Sequence, residues 1–342
     1  MSVTVERFQG LPGEWDGLVR SQPGWTHFHL LGWRAVMERA LELECVPLAA
    51  RDSTGRLCGV LPLVRVSSRL FGRYLVSMPF VNYGGPLGEP GAVTALVQHA
   101  EGVADEDGGA LLELRSRSEL AVDLPLSHRK ITVLLDLPAG RPDELWRRLP
   151  PKVRSQVRRP EKEGIEVRFG PDQLKPFFSV FARHMRDLGT PSQSIGFFRA
   201  MVEQFPDDVW FGCAFLRGEV VAAGCGFSWA GEFEMTWASA LREHAPLSAN
   251  MLLYWSFLRR ATELDHAVFN FGRCTPGGGT HRFKRQWGGR DEPLWWYHHA
   301  PGRRQATPSP TEGAFSWGPS IWKRLPLPFA TWLGPRIVRH LP

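Results

Sequence analysis

Apolar and polar positions alternate along this chain with two different periods, and the changes of period divide it into short blocks. Over 25–40, Leu30, Trp33, Val36, Met37 and Ala40 recur at helical spacing, which predicts a helix with one apolar face. Residues 44–52 and 58–66 are apolar runs separated by Asp52-Ser53-Thr54-Gly55-Arg56, and they read as a hairpin. Further strands are predicted at 74–78, 110–116 and 130–137, with a helix over 92–104. Pro138-Ala139-Gly140-Arg141-Pro142 then reads as a link.

After the link, a cation-rich helix is expected, ended early by Pro160. It precedes a strand at 165–169 and helices at 174–188 and 194–205. Three strands follow at 209–216, 219–229 and 232–240, joined by Arg217-Gly218 and Ala230-Gly231. An apolar helix over 246–264, a short strand from Val268 and a last strand at 293–298 complete the pattern. The expected organisation is 1–140, 143–302 and a tail over 303–342.

Composition narrows the class. At 342 residues, 43% hydrophobic and 22% charged, the chain has the balance of a globular protein of about two domains. Fourteen Trp point to aromatic-lined clefts or to helices at an interface. The net charge is +6, but from Arg303 onward six Lys or Arg face one acid, Glu312, so the tail carries +5 and the body only +1. A broadly basic DNA-binding surface is therefore not expected. Cys45, Cys58, Cys213, Cys225 and Cys274 are an odd, scattered set with no short metal spacing. They read as reduced thiols of a cytoplasmic protein without a metal site. No signal peptide opens the chain, and no apolar run approaches the ~18 residues of a membrane span.

The chemistry concentrates in two stretches. Residues 268–289 pass from an apolar strand through Gly277-Gly278-Gly279 to Phe283-Lys284-Arg285-Gln286-Trp287-Gly288. Glycines let a backbone approach another molecule, and Lys284 and Arg273 beside them suit a developing oxyanion or an anionic group. Arg147, Arg148, Lys152, Arg154, Arg158 and Arg159 form a second cluster, with no acid between 145 and 160. Arg154 and Arg158 share a helix face and make a candidate phosphate contact. Tyr83-Gly84-Gly85, following a strand, is a candidate substrate loop, and Trp33, Asn250 and Tyr254 are further candidate contacts. Tyr254, Glu234 and His281 are candidates for a general base, and Cys274 for a nucleophile. In the tail, Ile321-Trp322-Lys323-Arg324-Leu325 and Ile337-Val338-Arg339-His340-Leu341 mix bulky apolar and basic residues. Such segments suit the inner face of an anionic membrane or packing along the body.

Taken together, the order helix–helix–three-strand meander–helix–strand–strand resembles a GNAT-type acyltransferase domain, preceded by a looser copy. That arrangement, an α/β fold with two tandem GNAT-like domains, resembles the FemABX family. Met78-Pro79-Phe80-Val81-Asn82-Tyr83-Gly84-Gly85-Pro86, the Arg154–Arg158 helix, Phe269-Asn270-Phe271-Gly272-Arg273, Phe283-Lys284-Arg285-Gln286-Trp287-Gly288 and the Trp322–Pro328 tail are similar to FemAB-related proteins of the PEP-CTERM/exosortase type. The resemblance implies transfer of an aminoacyl group from aminoacyl-tRNA to an amine of a cell-envelope or exopolysaccharide precursor, with no bound cofactor. It also implies that Phe283-Lys284 lies in the channel of the second domain, the Lys stabilising the oxyanion; Trp287 is a further candidate contact from the same stretch. Asn270 departs from the Asp expected before Phe271-Gly272-Arg273. Acyl-CoA is the alternative donor, and a non-catalytic binding protein that keeps the fold as a scaffold is the second alternative. Against acyl-CoA, Ala240 to Asn250 contains no glycine where acyl-CoA enzymes carry a glycine-rich pyrophosphate loop.

Overall fold

The computed structural model describes residues 3–68, 72–300 and 318–341. It contains two compact units, Met1–Arg129 with Pro293–Trp317 and Gly334–Pro342, and Lys130–Glu292 with Gly318–Leu333. The first is built on a mixed sheet of β1 (Thr4–Arg7), β2 (Cys45–Arg51), β3 (Leu57–Ser68), β4 (Gly72–Ser77), β5 (Leu87–Gly88), β6 (Leu111–Ser116) and β7 (Leu126–Ser127). Helices α1 (Pro12–Ser21), α2 (Gly32–Leu41) and α3 (Pro90–Glu106) accompany it. The predicted hairpin is present, Leu48 facing Leu61 and Val46 facing Leu63. Its apolar side chains bury against Ala92, Leu96 and Ala100 of α3.

The second unit carries β8 (Ile131–Asp136), α4 (Pro142–Arg148), α5 (Pro151–Lys162), β9 (Ile165–Phe169), α6 (Leu174–Leu188) and α7 (Ile195–Gln204). Then come β10 (Val209–Leu216), β11 (Glu219–Trp229), β12 (Glu232–Ala240), α8 (Ala249–Glu263), β13 (Val268–Cys274), α9 (Gly279–Arg285) and β14 (Arg290–Pro293). The sheet order is β14-β8-β13-β12-β11-β10-β9. β10, β11 and β12 form the predicted antiparallel meander. Its turns need two successive positive φ angles, which Arg217 (51°) with Gly218 (86°) and Ala230 (43°) with Gly231 (75°) supply. The buried face of α8, with Leu253, Phe257 and Leu258, packs into the core with Phe233 and Phe269.

Several elements differ from the sequence reading. Two strands lie beyond the boundaries that the linker composition suggests. β8, in the first half of the sequence, pairs with β13 in the second unit's sheet, Phe269 opposite Leu135. The last strand, β15 (Trp295–His299), returns to the first sheet and pairs with β6. Alternation identifies a strand, but its partner is set by non-local contacts. α5 passes through Pro160 to Lys162. The ring is buried, and because it stands in the last turn, the lost N–H bond and the clash with the preceding turn fall where the helix is about to end. The glycine loop of 277–279 runs directly into α9, which pattern reading did not show. Of the tail, α10 (Gly318–Trp322) and α11 (Leu327–Val338) are helical, whereas 303–317 lie outside the described residues.

Asn270 explains its own departure from Asp. The side chain is fully buried. Its Nδ2 donates to Glu232 Oε1 at 2.8 Å and Glu234 Oε2 at 3.2 Å, while Oδ1 accepts from the Gly272 N–H at 2.8 Å and the Thr132 hydroxyl at 2.5 Å. A backbone N–H can only donate, which fixes the amide orientation. A carboxylate there would face two others and lose both donors. Asn270→Asp is expected to destabilise the second unit by about 3 kcal/mol or more, since buried charged groups would lose their partners; thermal unfolding would read this as a fall in Tm.

Candidate active site

β12 and β13 run parallel, but pair only where Glu232–Glu234 face Val268–Asn270. Beyond Asn270 they separate. The register between β13 and β8 slips between Asn270 and Arg273, at Gly272, whose φ of 72° suits glycine. The freed stretch of β13 is held by side chains instead: Asn270 takes the Gly272 N–H, and Lys284 takes the next two carbonyls. Lys284 Nζ donates to Gly272 O at 2.7 Å and to Arg273 O at 3.0 Å. The residue is only 5% exposed, and burial lowers the ammonium pKa from the ordinary 10.5 to about 8, with the Glu234 carboxylate opposing the fall.

α9 also presents Phe283, and Trp287 follows its end. Their rings join Tyr254 of α8 and Phe271 of β13, with centroids 4.9 Å from Tyr254 to Phe283, 5.8 Å from Tyr254 to Phe271 and 6.2 Å from Tyr254 to Trp287. The candidates Lys284, Arg273, Phe283, Trp287 and Tyr254 therefore belong to one neighbourhood. The base candidates do not fit that role. Burial pushes the Tyr254 phenol pKa well above its ordinary value, so the ring offers no phenolate at working pH. His281 Nδ1 accepts from the Gly277 N–H at 3.0 Å, so Nε2 carries the proton and donates to Asp291 at 3.0 Å; no lone pair is left. Glu234 is buried and accepts from Asn270 and Thr236. Cys274 is buried with its thiol pKa raised by that burial, which removes it as a nucleophile.

The second unit carries two clefts that hold candidate residues. Arg273 lines one of about 250 Å³ together with Lys130, Cys274, Thr275 and Thr280. Lys130 Nζ donates to the Thr275 hydroxyl at 2.8 Å. Nothing in the sequence linked Lys130 to Thr275, 145 residues away. The larger cleft, about 670 Å³, is lined by Arg154, Arg158, Arg159 and Lys162 of α5, by Gln156, and by Ser248 at the start of α8. Val153 and Val157 bury the opposite face of α5. None of these four cations makes an ion pair among the described residues. Arg158 stacks its guanidinium 5.2 Å from the Trp146 ring centroid. Ser248 precedes the first turn of α8, so the positive end of that helix's dipole lies beside the cations. Asn250, in the first turn of α8, is half-buried.

The other candidates are in the first unit and are packed. Tyr83 is fully buried against Phe28, with centroids 5.6 Å apart, and under the Arg117 guanidinium at 5.3 Å. Trp33 is 1% exposed and donates its indole N–H to His27 Nδ1 at 3.1 Å. A Cβ on Gly84 would come within 2.5 Å of Met78, and one on Gly85 within 3.1 Å of Ser116. The close approach read from the sequence is thus to the chain itself, and neither ring offers surface to a substrate in this structure.

Residues 148–285 match the family model described as acetyltransferase (GNAT) domain. No curated protein matches the chain. Among solved structures, it is similar to FemX, with a TM-score of 0.61 at 13% identity over 87% of this chain and 97% of that one. It is also similar to L-PGS from Bacillus licheniformis, at 0.57, 14%, and 96% of each chain. A tandem GNAT protein from the clavulanic acid biosynthesis pathway matches at 0.51 and 13% identity over 88% of this chain and all of that one. At these identities the likeness establishes the fold alone: two sheets flanked by helices, as the tandem GNAT protein also has. The domain match and this fold support an acyltransferase.

Proposed function

We propose that the protein moves an aminoacyl group from aminoacyl-tRNA onto an amine of a cell-envelope or exopolysaccharide precursor, in the manner of the exosortase-associated FemAB-related proteins it resembles. The observation that carries this reading is the Lys284 ammonium at the splay of β12 and β13. An ammonium has three N–H donors. Two are fixed by the Gly272 and Arg273 carbonyls, and the third serves the oxygen that turns anionic. The acceptor nitrogen attacks the ester carbonyl carbon. The tetrahedral oxyanion then collapses, the bond to the ribose oxygen breaks, and the proton shed by the amine neutralises the departing ribose oxygen. With no base among Tyr254, Glu234 and His281, water carries that proton, and holding both substrates in place supplies much of the acceleration. Arg154, Arg158, Arg159 and Lys162 take phosphates of the donor, and Arg273 with Lys130 takes an anionic group of the acceptor.

A second reading, with acyl-CoA as donor, is supported by the domain match over 148–285 and by the position of the cationic cleft at the start of α8. Between β12 and α8 the chain makes a 3-10 turn over Arg242–Leu247, without the glycines of an acyl-CoA loop. Incubating the protein with amine-bearing precursors and either radiolabelled aminoacyl-tRNA or acyl-CoA separates the two. Label on the acceptor that disappears with RNase supports the first; release of free CoA thiol supports the second. Transfer from neither donor refutes both.

The Lys284 pKa gives a pH test. The working form is charged, so kcat should fall as pH rises through about 8. Lys284→Arg, charged over the whole range, should remove that limb from whatever activity it retains. Stability moves the other way. Between about 8 and 10.5 the unfolded chain holds the proton that the folded one has lost, so this group's contribution to stability increases with pH across that window. An activity profile flat to pH 9.5 contradicts the assignment.

A further inference from the structure

We infer that the surface formed by α10, the start of α11 and the end of α6 is a docking face for an anionic lipid bilayer. Four large apolar side chains of the second unit stand in solvent there: Leu188 is 45% exposed, Ile321 52%, Phe329 46% and Trp332 54%. Phe329 and Trp332 are three residues apart, on adjoining positions of one helix face, with ring centroids 5.6 Å apart. The opposite side of each helix is packed, through Trp322 and Ala330. The outward placement of the aromatics is thus a property of the fold.

Two features hold the segment rigidly on α6. Gly189 ends α6 with a φ of 83°, and a Cβ there would come within 2.6 Å of Pro319 O, so glycine allows α10 to close on the helix end. Arg186 Nη1 then donates to Leu325 O at 3.2 Å, fixing the turn between α10 and α11. The contact brings Leu188 beside residues more than 130 positions away in sequence, which the tail's own pattern did not show.

Charge selects the occupant. Lys323 and Arg324 are exposed in the turn, and neither has an ion pair among the described residues. The sequence from 318 to 341 contains no Asp or Glu. The one carboxylate at the end of α6, Asp187, is paired with Arg186 at 2.7 Å, and an acid-free segment carrying Trp, Phe and Ile beside cations matches the interface of an anionic bilayer, where aromatic rings sit at headgroup depth and Lys or Arg meet lipid phosphates. A protein partner buried on such a patch would have to supply the carboxylates. Among the described residues no helix is long and apolar enough to cross a membrane, so the contact is peripheral.

The test is co-sedimentation of the full chain with vesicles of phosphatidylcholine, alone or with about one third phosphatidylglycerol, at low and high salt. Binding to the anionic vesicles is expected, with at least a tenfold loss on pure phosphatidylcholine. The exposed pair Phe329→Ser/Trp332→Ser should lose binding to both vesicle types by tenfold or more. Lys323→Ser/Arg324→Ser should lose the preference for phosphatidylglycerol. Circular dichroism confirms that the variants are folded. Equal binding of wild type and Phe329→Ser/Trp332→Ser overturns the inference. So does an absence of vesicle binding, with or without self-association through the same residues in analytical ultracentrifugation.

Discussion

The double variant Arg154→Ala/Arg158→Ala is expected to raise the donor KM by about 10²-fold, taking each charge-assisted contact at about 1.5 kcal/mol, while leaving kcat within a few-fold. Both side chains stand one turn apart on α5 and line the same cleft beside Ser248. Their neighbours Arg159 and Lys162 also have no ion pair among the described residues, so the local potential is concentrated. Val153 and Val157 keep the helix seated, so the fold should survive the change. If the donor is a polynucleotide, the slope of log affinity against log salt should flatten by about 0.7 for each phosphate contact removed. An unaltered KM would remove the cleft from the account.

Lys284→Met has the other large expected effect. Removing one donor to a developing oxyanion costs about 10²–10³ in kcat in comparable acyl transfers, so a loss of that size is expected with the donor KM little changed. The side chain also has a structural duty. Without it, the Gly272 and Arg273 carbonyls lose a partner at about 1–3 kcal/mol each if they stay buried, offset by no longer burying a charge. Thermal unfolding should therefore show a modest change in Tm, far smaller than the catalytic defect. Phe283→Ala, which opens the Tyr254–Phe271–Trp287 cluster without touching Nζ, serves as the packing control.

Much of the second unit was legible from local pattern. The β10–β12 meander shows alternation along its strands and turn residues that tolerate positive φ. α5 shows a two-valine apolar stripe beneath its arginines. What local pattern could not carry was partnership. β8 and β15 are both strong strands, yet which sheet each joins depends on β13 and β6. α9 was hidden because Gly277, Gly278 and Gly279 signal a loop, and only the turn that follows them sets Lys284 toward β13. Asn270 looked like a departure from the pattern because the carboxylates that require its amide, Glu232 and Glu234, lie 38 and 36 residues away. Tyr83-Gly84-Gly85 was legible only as a close approach. Glycines signal a close approach but do not identify what approaches, and here it is Met78 and Ser116.

The central claim, that the Lys284 ammonium meets the oxygen that becomes anionic during acyl transfer, is tested most directly by single-turnover quench-flow. Donor-saturated wild type and Lys284→Met are mixed with the amine acceptor, and donor Kd is measured separately by equilibrium binding. The expected result is a first-order transfer constant lower by about 10²–10³ in the variant with its donor Kd unchanged. A folded Lys284→Met protein that transfers at the wild-type rate would contradict it.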